Sequence, residues 1–188
     1  MRKLLVWFHV VTSIGWMSLA LSLATLVMWG LSTGDGSAFA MARVLDTQLL
    51  RHLGVAGAFS GFMLGALTPW GYFRYWWVLV KVVITITQLY VGSVVLGHYL
   101  EHDPGWGLVF ASLLMVGALA FQAWVSVAKP WRFTPWGSRK KLPQAPEWRF
   151  AAAIAVPILD VVLWQAPILS LLVALLYPLH RSIFLRRS

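Results

Sequence analysis

Trp76-Trp77-Val78-Leu79-Val80-Lys81-Val82-Val83-Ile84-Thr85-Ile86-Thr87-Gln88-Leu89-Tyr90-Val91-Gly92-Ser93-Val94-Val95-Leu96-Gly97 is the stretch that decides the fold. Lys81 is the only charge in it. A helix needs about 20 apolar residues to cross a hydrocarbon core about 30 Å thick, so this run is long enough to span. Three runs of the same character accompany it: Leu4 to about Leu31, about Leu49 to Leu67, and about Gly107 to Ala128. Thr68-Pro69-Trp70-Gly71 closes one of these and Pro104-Gly105 opens another, as Pro and Gly do at helix exits and turns. The whole chain agrees: 188 residues, 60% hydrophobic and 11% charged, with a mean hydropathy of +0.75. Soluble domains run at roughly 45–50% apolar and about 25% charged. The reading is an all-α integral membrane protein, a four-transmembrane-helix bundle.

The first run follows Met1-Arg2-Lys3 directly, yet it is too long for a signal peptide and continues through Trp16 and Trp29 without an early small-residue cleavage site. It is read as a retained span. Residues 1–147 form the bundle, with a basic loop at 129–149, and 148–188 form a C-terminal apolar segment with a basic tail. Phe150 to Tyr177 is apolar but contains Pro157, Pro167 and Asp160, with Pro178 just beyond. It is too short for two full spans, so a re-entrant hairpin or one kinked fifth span is expected. The basic terminus Arg181, Arg186 and Arg187 favours the hairpin.

Charge orients the spans. The net charge of +9 sits in short flanks between apolar runs, which points to membrane orientation and away from nucleic acid. Lys129, Arg132, Arg139, Lys140, Lys141 and Arg149 stand against Glu147 alone, while Tyr99 to Trp106 holds no Lys or Arg, only Glu101 and Asp103. Basic loops stay on the cytoplasmic side. The expectation is a multi-pass protein of a bacterial cytoplasmic membrane, N-terminus inside. Trp70, Tyr72, Tyr75, Trp76, Trp77, Trp131 and Trp136 read as interfacial belts. The chain has no Cys, which excludes disulfides, thiolate metal sites, iron–sulfur clusters and cysteine catalysis.

Polar residues at membrane depth mark candidate function. Lys81, Thr85, Gln88 and Gly92 recur at helical spacing and share one face, either as a working site or as interhelical hydrogen bonding. Gly57, Gly61 and Gly65, beside Ala58 and Ser60, let another helix, or a flat ring, approach closely. His9, with Ser13 and Trp16 at helical spacing after it, and Lys81 both lie about 8 Å below the inner boundary at 1.5 Å per residue. A neutral imidazole there suits a haem iron, or simply a neighbouring carbonyl. At the other side His98 and His102 are four apart, and His52 enters its span at a similar depth. These are candidate metal or axial haem ligands, or a solvated turn. No phosphate-binding glycine loop, nucleophile elbow, paired membrane carboxylates or zinc-protease motif is present.

Trp7-Phe8-His9-Val10-Val11-Thr12-Ser13-Ile14-Gly15-Trp16-Met17, Thr68-Pro69-Trp70-Gly71-x-x-Arg74-Tyr75-Trp76-Trp77-Val78-Leu79-x-Lys81 and Lys129-Pro130-Trp131 resemble a family of small bacterial integral membrane proteins with a domain of unknown function. The match runs from residue 1 to about 137. More distantly, a first-helix His with a third-helix Trp and Lys is similar to HemJ-type protoporphyrinogen oxidases and CopD-like copper-resistance membrane proteins. The resemblance implies a haem-binding redox protein carrying haem b. His9 would be the ligand and Lys81 the residue needed for activity, with Gly57, Gly61 and Gln88 lining the cofactor. The other expectations are a non-catalytic accessory subunit docking onto a larger membrane complex or a second copy, and a transporter for copper or another small solute.

Overall fold

The computed structural model describes residues 1–135, 143–164, 168–170, 172–174 and 176–177. Trp136, Arg139, Lys140, Lys141, Pro167, Pro178, Arg181, Arg186 and Arg187, which entered the topology reading, lie outside the described residues. Four helices are long and apolar enough to cross a membrane: α1 (Arg2–Thr33), α2 (Gly36–Leu67), α3 (Trp76–His102) and α4 (Trp106–Ala128). This all-helical architecture has the number, length and composition of helices that a multi-pass membrane protein requires. A further helix, α5 (Glu147–Leu159), follows α4.

The helices outrun the apolar runs at the ends where α1 meets α2 and α3 meets α4, here called the turn end. Ser32 and Thr33, just beyond the apolar run, form the last turn of α1, where their hydroxyls donate to the carbonyls of Met28 and Trp29 at 2.8 Å each. Gly34, at φ 74°, ends that helix in the left-handed region that glycine tolerates. Asp35 then caps α2 by accepting the Ser37 N–H at 2.9 Å. The Ser37 hydroxyl and N–H beside Asp35 hold its carboxyl below the usual carboxylate range. α2 therefore begins well before Leu49.

α1 packs on α2 and α4, and α3 packs on the same two, while α1 and α3 stand diagonally and scarcely touch. The order around the bundle is that of the chain. Small residues make the α1–α2 contact close. A methyl group on Gly54, Gly57 or Gly61 would meet Trp16, Ser13 or His9 respectively. At the turn end Arg43 of α2 donates to the last carbonyls of α3, Nε to Leu100 and Nη2 to Glu101, both at 3.2 Å. A cation there satisfies orphan carbonyls and complements the helix dipole.

The other end, which carries the N-terminus, is the basic end. α5 covers α2 and α1 here: Phe150, fully buried, and Ala153 pack with Leu5, Phe59, Met63, Leu64 and Leu67. The chain beyond α5 folds back along it. Asp160 accepts the N–H groups of Leu169 and Ser170 at 2.8 and 2.7 Å, and Arg149 Nη1 donates to the Tyr177 hydroxyl at 3.1 Å. Asp160 thereby closes the start of a returning helical arm, which explains a buried carboxylate in an apolar run.

Candidate functional site

The polar face of α3 meets a polar face of α4. Lys81 Nζ donates to Ser126 Oγ at 2.6 Å, and Ser126 Oγ donates to the Gln122 carbonyl at 2.8 Å. Thr85 Oγ1 donates to Gln122 Oε1 at 2.8 Å, and Gln122 Nε2 donates to Gln88 Oε1 at 2.6 Å. Gln88 Nε2 completes the seam by donating to the Met115 carbonyl at 2.9 Å. Both glutamines are buried. Gly92 stands where a methyl group would come within 3.1 Å of Met115 Cε. The four residues of the predicted α3 face thus share one interface. Their partners on α4 were not singled out in the sequence, although Ser112, Met115, Leu119, Gln122 and Ser126 recur at helical spacing. Lys81 forms no salt bridge among the described residues; its partner is a hydroxyl.

Between α1, α2, α3 and α4, toward the turn end, lies a cavity of about 60 Å³. Gln88 is at its floor, with Ser93, Ser112 and Met115 on its walls and Asp46 and Arg51 beside it. Asp46 and Arg51 are 3.9 Å apart, a loose ion pair. Two π-helical stretches contribute to the lining, Asp46–Leu50 in α2 and Val91–Leu96 in α3. Such stretches frequently occur at functional sites. Neither the stretches nor the Asp46–Arg51 pair was anticipated from the sequence. Neither His9 nor Lys81 lines this cavity.

His9 belongs to the α1–α2 interface. Its Nδ1 lies 3.0 Å from the Gly57 carbonyl and 3.1 Å from Ser60 Oγ, which itself donates to that carbonyl. With the serine proton so placed, Nδ1 is the donor and Nε2 carries the lone pair. Backbone anchoring of one ring nitrogen is also how ligand imidazoles are oriented, but here the ring packs against Gly61 and lines neither cavity. The glycine face does not fit a ring. Gly54, Gly57, Gly61 and Gly65 are filled by Trp16, by Thr12 and Ser13, by His9, and by Tyr72. Gln88 lies in the seam, away from His9's partners. The expected assembly of His9, Gly57, Gly61 and Gln88 around one cofactor is therefore divided between two interfaces, and His9 and Lys81 stand on diagonal helices.

α3 continues to His102, so His98 and His102 do share a helical face. Their rings stack at 4.4 Å, and His102 Nδ1 lies 3.0 Å from the His98 carbonyl. Among the described residues no three His, Asp or Glu side chains come together to hold a metal, with or without His52. Comparison with protein-family models, curated proteins and solved structures returned no match.

Proposed function

We propose that the protein is a carrier in a bacterial cytoplasmic membrane that takes a small polar solute from the outer side and passes it along the α3–α4 seam toward Lys81. The observation supporting this is continuity. Gln88 lines the cavity and bonds Gln122, and Gln122 connects through Ser126 to Lys81. The basic end faces the cytoplasm in this reading, because the basic residues cluster there.

The chemistry follows from the residues. A cavity of about 60 Å³ suits a species of few heavy atoms, since a single water needs only about 10–15 Å³ of such space. Asp46 and Arg51 are too far apart to satisfy each other fully, so each can take a charged or hydrogen-bonding group at the entrance. At the floor, the paired amides offer donors and acceptors to a solute bearing amide, hydroxyl or zwitterionic groups. Hydrogen bonds between membrane helices average only about 0.6 kcal/mol, so seam bonds can open one at a time for a solute that replaces them. Swelling of proteoliposomes in urea, glycerol and glycine tests this. At least one solute should enter faster than it enters empty liposomes, and a Gln88→Leu/Gln122→Leu variant should lose the difference. Entry no faster than in empty liposomes for all three rejects the carrier.

His9 favours a second reading, a haem-binding redox protein in which its Nε2 ligates haem b and the haem supplies one-electron chemistry. The anchoring of Nδ1 supports it. The visible spectrum of protein purified after expression with haem supply decides the matter. A Soret band absent from His9→Ala is the expected result, and its absence from the parent protein rejects the ligand.

A further inference from the structure

At the basic end the loop between α2 and α3 and the segment leaving α4 are tied into one small structure. Lys129 ends α4 in the left-handed region, at φ 45°, with its N–H on the Val125 carbonyl at 3.0 Å, and Pro130 follows. The chain then turns to run antiparallel to residues 74–76. Trp76 N–H donates to the Arg132 carbonyl at 3.2 Å, and Thr134 N–H donates to the Arg74 carbonyl at 3.1 Å. Tyr75 and Phe133 stack at 4.8 Å, with the Arg74 guanidinium 5.2 and 5.4 Å from their ring centres. Trp70 meets Trp77 edge-to-face at 5.5 Å.

These contacts wall a bowl of about 450 Å³ lined by Trp70, Tyr75, Trp77, Trp131 and Phe133, with Lys129 and Arg132. Among the described residues no carboxylate lines it. The side chains of Lys129 and Arg132 are exposed and have no hydrogen-bond or ion-pair partner among the described residues. The bowl lies where α3 begins and α4 ends, which is the headgroup level when the two helices span a bilayer, and tryptophan and tyrosine rings favour that wet–apolar boundary. Its volume falls within the roughly 300–1,000 Å³ of small-molecule sites.

We infer that this aromatic bowl binds an anionic phospholipid of the adjoining leaflet, its phosphate between Lys129 and Arg132 and the first part of its acyl chains against Trp70 and Trp77. The two free cations provide charge complementarity, and the aromatic walls suit a ligand that carries apolar chains, which a free anion lacks. Basic pockets beside membrane helices are known to take such headgroups.

The test uses the full chain in mild detergent with equimolar phosphatidylglycerol and phosphatidylcholine, and native mass spectrometry counts what stays bound. Two cations at about 1 kcal/mol each predict about a thirty-fold preference for phosphatidylglycerol. A Lys129→Gln/Arg132→Gln variant should fall toward parity, whereas Lys129→Arg/Arg132→Lys should keep the preference. Arg2→Gln/Lys3→Gln, at the same end but outside the bowl, should keep it too. Equal retention of the two lipids by the parent protein overturns the inference without reference to any variant. So does an equal loss in the Arg2/Lys3 variant, which would mean diffuse charge. Displacement of the lipid by inorganic phosphate assigns the bowl to free anions and overturns it as well.

Discussion

At Gly61 the backbone of α2 leaves room for the edge of one ring, and His9 fills it: a methyl group there would sit 2.9 Å from His9 Cε1. Such a contact forces the imidazole aside and strains its bonds to Gly57 and Ser60. Gly61→Ala is expected to lower stability by about 1–3 kcal/mol, the usual range for overpacking a filled site. Gly34→Ala also strains a backbone, at φ 74°, but meets no neighbour within 4 Å. Thermal unfolding of the parent and the Gly61→Ala/His9→Ala pair separates the causes. If the clash is responsible, the methyl group costs less once the ring is gone. Equal cost in both backgrounds refutes the contact.

Between elements, the α3–α4 seam makes a cooperative claim. Gln88 and Gln122 are bonded to each other, so losing either leaves one buried polar atom of the other, Gln88 Oε1 or Gln122 Nε2, without that bond. Gln88→Leu and Gln122→Leu should each destabilise more than the double variant does relative to either single. The coupling should not exceed about 1.7 kcal/mol, the largest seen between membrane helices. A double-mutant cycle in detergent measures it, and additivity would contradict the seam. The α3 half of this interface was legible because Lys81, Thr85, Gln88 and Gly92 repeat against an apolar ground. The α4 half repeats as well, but Ser112, Gln122 and Ser126 are diluted by apolar neighbours. Asp46 lay outside the apolar run as read from Leu49, with Arg51 just inside its start, so the pairing of the two beside the cavity depended on a helix start fixed by Asp35. The spans themselves were legible from length, since only lipid rewards runs of that composition. What fills each glycine was not, because spacing specifies closeness and says nothing of the visitor.

For the whole molecule, the proposed orientation can be checked with single cysteines in a chain that has none. Gln144→Cys, exposed beyond α4, should react with an impermeant thiol reagent only from the cytoplasmic side, and Asp103→Cys, exposed at the turn end, only from outside. The reverse pattern would invert the bundle. The two π-helical stretches also bear on the whole. Each widens a turn from i→i+4 to i→i+5 bonding, so the helix accommodates one residue more than an unbroken α-helix would, and its faces slip by about a hundred degrees. α2 and α3 are therefore each two helices end to end, out of phase at Asp46–Leu50 and Val91–Leu96. A single deletion within Val91–Leu96 would bring α3 back into phase and swing everything past Gly97 around its axis. The carbonyls of Leu100 and Glu101 would then turn away from Arg43. The hollow beside these stretches and the clasp at the turn end thus share an origin in chain length: one surplus residue makes both possible.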